Sequence, residues 1–121
     1  LERKSKADFM GIDLLKHRKW EEAEILLKKE LKTDPNNVWM FVNLANLKLA
    51  QRNYAELDKL LEWGRAIHPY YEPLYLLEAQ KFFDQGKFEE SYTVLEELME
   101  VNPRYKNAAP LLQKVKEKLN K

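Results

Sequence analysis

Three prolines stand one fixed distance apart. Pro35, Pro69 and Pro103 are separated by 69 − 35 = 34 and 103 − 69 = 34 residues, within LKTDPNN, RAIHPYY and EVNPRYK. A constant period of this length calls for a repeated structural unit, because a core built once puts no such demand on the spacing of its turns. The chain accordingly divides into residues 4–37, 38–71 and 72–105, followed by KNAAPLLQKVKEKLNK.

Midway through each unit lies a break that ends in an aromatic: HRKW with Trp20, QRNY with Tyr54, QGKF with Phe88. Acidic residues follow at once, in EEAE, AELD and EESY. Acidic side chains complement the positive end of a helix dipole, so each break separates two helices. Asn53 with Glu56 forms a capping-box pattern, and Gly86 can adopt the left-handed conformation that closes a helix. The second helix of each unit has apolar residues at helical spacing: Trp20, Ala23, Leu27 and Leu31; Tyr54, Leu57, Leu61 and Ile67; Phe88, with Ser91, Leu95 and Leu98. Those stripes are read as core. Gly11, Ala45 and Ala79 are small residues at matching places in the first helices, where the two helices of a hairpin come closest. Met10 and Leu14, Phe41 and Leu44, and Tyr75 and Phe82 flank them. Each period-setting proline stops a second helix by driving the preceding residue out of the α region. Pro73 and Pro110 fall instead in the first turns of new helices, where a missing N–H costs little. The remainder reads as a charged capping helix at about 107–120, which covers the end of the stack.

A 34-residue period of helix–turn–helix units, with a small residue, an aromatic and a terminal proline at set places, resembles the tetratricopeptide repeat family. The resemblance spans essentially the whole chain and implies one all-α domain over residues 1–121. Its expected form is a right-handed superhelical solenoid of three repeats plus the capping helix, with first helices lining a concave groove. Lys48, Glu78, Glu30 and Leu98 depart from the family pattern and bear on local packing. The resemblance also implies a peptide-binding or complex-assembling role. The family's carboxylate clamp, which grips chaperone C-termini, is matched only by Asn43, since Asp8, Ile12, Pro73 and Leu77 occupy its other places. Chaperone tails ending in a free carboxylate are therefore not expected as ligands.

Charge narrows the partners. The chain of 121 residues carries 21 basic and 20 acidic side chains, a formal net charge of +1, so no long-range field draws it to nucleic acid or to an anionic membrane. The basic clusters Arg3, Lys4 and Lys6 and His17, Arg18 and Lys19 are followed closely by acidic runs and read as solvated surface. VWMFVNLANLKLA is too short and too often interrupted to span a bilayer, and no signal peptide is visible. The first residue is leucine, which suggests a piece of something longer. Without cysteine there are no disulfides and no thiolate zinc sites; this leaves the compartment open, with a soluble, cytoplasmic location slightly favoured. His17 and His68 have no partner at metal-ligand or triad spacing, the paired glutamates lie on amphipathic helices, and three glycines form no phosphate loop. No catalytic activity, metal or cofactor is expected.

The first helix of the middle unit is apolar on two opposed sides. One side, with Phe41, Leu44, Ala45 and Lys48, should pack against its own hairpin. The other carries Trp39, Val42, Asn43, Asn46 and Ala50. Equivalent faces hold Asp8, Phe9, Ile12 and Lys16 in the first unit and Leu76, Leu77, Gln80 and Phe83 in the third. Together these residues describe an apolar trough set with amides, suited to an extended or helical apolar segment of a partner protein. The alternative is a structural scaffold in which the same face is an internal joint, covered by flanking repeats or by a second copy in a homo-oligomer.

Overall fold

The punctuation read from the sequence recurs as six α-helices in the computed structural model, which describes residues 20–121. They are α1 (Trp20–Thr33), α2 (Val38–Ala50), α3 (Tyr54–Ile67), α4 (Glu72–Asp84), α5 (Phe88–Val101) and, after a 3-10 turn at Lys106–Ala108, α6 (Ala109–Leu119). The described residues contain no strand. The expectations for Gly11, Met10, Leu14 and His17, and for the first helix of the first unit, lie outside the described residues.

Local chemistry explains the boundaries. His68 and Asn102 precede prolines and lie at φ −130°, ψ 75° and φ −150°, ψ 95°, outside the helical region, and α3 and α5 stop there. Asn37 caps α2 by accepting from the Trp39 N–H at 3.0 Å, and Asn53 caps α3 by accepting from the Glu56 N–H at 3.4 Å. Pro73 and Pro110 sit at the starts of α4 and α6, where no intrahelical N–H is needed. Gly86 closes α4 at φ 76°, with Lys87 N–H donating to the Phe82 carbonyl and Gly86 N–H to that of Phe83. Arg52 closes α2 with the same pair of bonds, to Lys48 and Leu49, at φ 56°.

Contacts divide the chain into two groups, Leu1–Pro69 and Tyr70–Lys121. In the first, α1 packs on α2 and α2 on α3. Leu27, Leu31, Met40, Phe41, Leu44 and Leu47 form the core there, with Trp20, Trp39, Leu60 and Ile67 against it. Phe41 is fully buried and meets the Trp63 ring edge-to-face at 4.7 Å between centroids. In the second, α4 packs on α5 and α5 on α6. Its core joins Ala79, Val94, Leu95 and Leu98 to Ala108, Leu111 and Val115. The small residue at position 79 matters because Ser91 Oγ, on α5, donates to the Ala79 carbonyl of α4 at 2.8 Å. Ala45 is buried in the same way at the matching place on α2.

Two lysines are buried among the described residues. Lys81 holds its Nζ 4.2 Å from the centre of the Phe82 ring. Lys48, 4% exposed, stands where the repeat pattern has an aromatic, and its ammonium pairs with Glu24 of α1 and with Glu56 of α3, the latter at 3.0 Å. Glu24 also meets Lys28 at 3.1 Å. Burial alone would push the Lys48 ammonium down, but the hydrogen bonds it donates to the two glutamates outweigh it and hold the group above its ordinary 10.5. The hydrogen bond from Lys48 holds both glutamates below 4.5. Carboxylates held low in the fold stabilise it above their unfolded value, so this contribution is present above about pH 4.5 and is lost as the pH falls through their folded values. The lysine's contribution is complete below 10.5 and is lost as the pH rises through its folded value.

Substitution separates charge from packing. Lys48→Met keeps the buried stem and should stay within about 1 kcal/mol of the parent at neutral pH, whereas Lys48→Ala, which also forfeits that packing, should cost about 2–3 kcal/mol. Urea unfolding at pH 7, 5 and 3 checks both, with a shallower acid decline expected for Lys48→Met. An undiminished decline would place the acid sensitivity elsewhere.

Candidate ligand-binding faces

The α2 sequence is apolar almost all round, and its burial is correspondingly broad: Val38, Met40, Phe41, Asn43, Leu44, Ala45, Leu47 and Lys48 are all buried. What remains open is a strip at helical spacing. Trp39 and Val42 are half-buried, Asn46 is exposed, and Ala50 continues the line as an exposed residue. Trp39 also packs on the core, so one part of its surface serves the fold and the rest is on the strip. Asn43 borders the strip at 5% exposure, and its Nδ2 is buried with no hydrogen-bond partner among the described residues. An amide N–H in that position has forfeited water without gaining an acceptor, at a cost of about 1–3 kcal/mol.

The equivalent face of α4 is different in kind. Leu76 is half-buried, while Leu77 retains only 7% exposure and offers little free area. Gln80 is turned along its own helix, its Nε2 donating to Asp84 Oδ1 at 2.8 Å. Phe83 packs edge-on against Phe88 at 5.2 Å between centroids. Thus α2 brings Trp39, Val42, Asn43 and Asn46 to one side of the first group, and α4 brings Leu76, Gln80 and Phe83 to one side of the second. Asp8, Phe9 and Ile12 lie outside the described residues.

The α2 strip offers apolar surface and amides, which donate and accept without titrating. His68 spends its Nε2 on the Asn36 carbonyl at 3.0 Å, tying one proline turn to the next. Among the described residues no group of three or more His, Asp or Glu side chains could hold a metal, and no helix is long and apolar enough to cross a membrane. Sequence reasoning passed over the Lys48, Glu24 and Glu56 cluster. A lysine at a core position was the available signal, since a buried ammonium needs partners.

The fold matches solved tetratricopeptide repeat domains. The first such domain of Spaghetti (RPAP3), bound to the HSP90 peptide SRMEEVD, is similar at a TM-score of 0.80 and 23% identity, over 95% of this chain and 94% of that one. The second domain of human RPAP3, in complex with the HSP70 peptide SGPTIEEVD, gives a TM-score of 0.74 at 22% identity, over 91% and 92%. The Hsp90 co-chaperone Cns1 from Saccharomyces cerevisiae gives 0.80 at 21% identity, over 94% of this chain and 38% of that longer one. No family model matches the sequence, and no curated protein does. The likeness establishes an all-α, tetratricopeptide-type helical-repeat solenoid.

Proposed function

We propose that this chain, folded as a tetratricopeptide solenoid, is a non-catalytic protein-interaction module that captures an apolar segment of a partner protein, extended or helical, in the concave groove such a fold implies. The observation that carries this reading is the buried, unpartnered Asn43 amide beside the open strip of Trp39, Val42 and Asn46. A peptide carbonyl laid along that strip would give the Nδ2 its missing acceptor, while Trp39 and Val42 bury apolar side chains. Peptide capture is what two of the similar domains were solved doing. The backbone of the partner is read by the amides and its side chains by the apolar surface.

The mode differs from that of a carboxylate clamp. With Asp8, Ile12, Pro73 and Leu77 at four of the clamp's five places, two of the clamp's basic groups are replaced by Pro73 and Leu77, and a third by an acid. The heptapeptide SRMEEVD should therefore show no calorimetric binding at micromolar concentration; a micromolar Kd would overturn the distinction.

The positive test is selection of ligands from a random phage-displayed peptide library on the full chain. Selected peptides should share large apolar side chains. Asn43→Ala combined with Asn46→Ala should weaken them by roughly one to two orders of magnitude, since each lost hydrogen bond costs about 0.5–1.5 kcal/mol. The double variant should melt no lower than the parent, because alanine is the better helix former and the orphaned amide is gone. Unchanged affinity would remove the amides from the site. A mass that rises with concentration in light scattering would favour self-association instead.

A further inference from the structure

The distribution of charge on helix ends singles out α5. Five of the six helices carry a basic side chain in the last turn: Lys32 in α1, Lys48 in α2, Arg65 in α3, Lys81 in α4, and Lys116 with Lys118 in α6. The last turn of α5 has none. It has Glu100 there and Glu97 one turn earlier, toward the negative end of the dipole, where a carboxylate opposes helix formation. Among the described residues neither glutamate has an ion-pair partner. The acidic first turn of the same helix, Glu89 and Glu90, is by contrast what the dipole favours.

Glu97 and Glu100 line an open cavity of about 500 Å³ together with Tyr70, Tyr75 and Val101. Tyr70 is 73% exposed, an unusual state for a large aromatic, and has no ring partner among the described residues. Beside Val101, the Asn102 Nδ2 donates to Glu72 at 3.0 Å and so brings a third carboxylate to this helix end. No lining residue is basic. Two tyrosines, two carboxylates without an ion pair among the described residues and a negative helix terminus are together complementary to an organic cation. A hard metal ion is a poor fit, because it takes about six or more oxygen ligands and the tyrosine faces supply none. A guanidinium fits best, since its plane stacks on tyrosine and its fork of N–H groups pairs with carboxylates.

We propose that this cavity receives an arginine side chain from a partner polypeptide, at a site separate from the α2 strip and independent of the reading above. The probe is a capped glycine–serine peptide bearing two arginines, titrated into the full chain and followed by NMR at Tyr70, Tyr75 and the last two turns of α5. The control is the same peptide with citrulline, which keeps the shape and loses the charge. Shifts should centre on these residues, with the arginine peptide binding about tenfold or more tightly than the citrulline peptide. Glu97→Gln with Glu100→Gln should weaken the arginine peptide about tenfold, while Glu89→Gln with Glu90→Gln leaves it unchanged. The first pair should also melt at or above the parent temperature, so that a lost signal is not lost folding. Equal binding of citrulline, equal losses from both pairs of substitutions, or no shift at these residues at millimolar peptide would overturn the proposal.

Discussion

Phe41→Ala should unfold the first group of helices at a denaturant concentration where the rest of the chain remains helical. Phe41 is fully buried, packs among Leu27, Met40 and Leu44, and makes the edge-to-face contact with Trp63. Truncating such a ring costs about 3–5 kcal/mol, of which about 0.5–1.5 kcal/mol is the aromatic pair itself. That is a large share of the roughly 5–15 kcal/mol available to a domain. The loss can be watched selectively, because the three tryptophans, Trp20, Trp39 and Trp63, all lie before Pro69. Tryptophan fluorescence therefore reports the first group alone, and far-ultraviolet circular dichroism reports every helix. In the variant the fluorescence midpoint should precede the dichroism midpoint. Equal displacement of both would mean that the chain unfolds as one unit.

Removal of residues 106–121 should be comparably severe for the second group. It takes away Ala108, Leu111 and Val115, leaving Ala79, Val94, Leu95 and Leu98 without their cover. The burial of Leu111 and Val115 alone contributes about 3–6 kcal/mol, and what remains is a two-helix hairpin. For a chain of this size each kcal/mol corresponds to about 4–8 °C, so the melting temperature should fall by at least about 10 °C. The exposed leucines should also promote aggregation, visible by light scattering. A truncated chain that stays monodisperse and melts unchanged would show that α6 is not a cap.

Much of this architecture is written in local signals. Pre-proline residues, the Asn53 cap, Gly86 and the small residues at 45 and 79 each act over a few positions, and the 34-residue period says which signals are equivalent. The burial of Leu27, Leu61 and Leu95 follows from helical spacing in the same way. What escaped the sequence depends on partners distant along the chain. Arg52 takes a left-handed conformation that glycine takes at position 86, and nothing in its side chain announces this. Glu56 completes the capping-box pattern on paper, yet in the fold its carboxylate goes to Lys48 rather than back to the cap residue. The α2 strip was legible as a second apolar face, whereas the orphaned state of the Asn43 amide depends on which atoms surround it. The cavity at the end of α5 draws on residues from three segments and leaves no mark in a periodicity.

The Lys48 cluster also bears on how such an array could lengthen. The ammonium joins the second helix of one repeat, through Glu24, to the first helix of the next. Position 24 + 34 = 58 is Asp58, so a tandem copy of residues 38–71 inserted behind the original would present an aspartate to the incoming lysine. The new joint would then carry a carboxylate at the same place, one methylene shorter. A copy of residues 72–105 behind its original would instead set Phe82, 48 + 34 = 82, against Tyr92, 58 + 34 = 92.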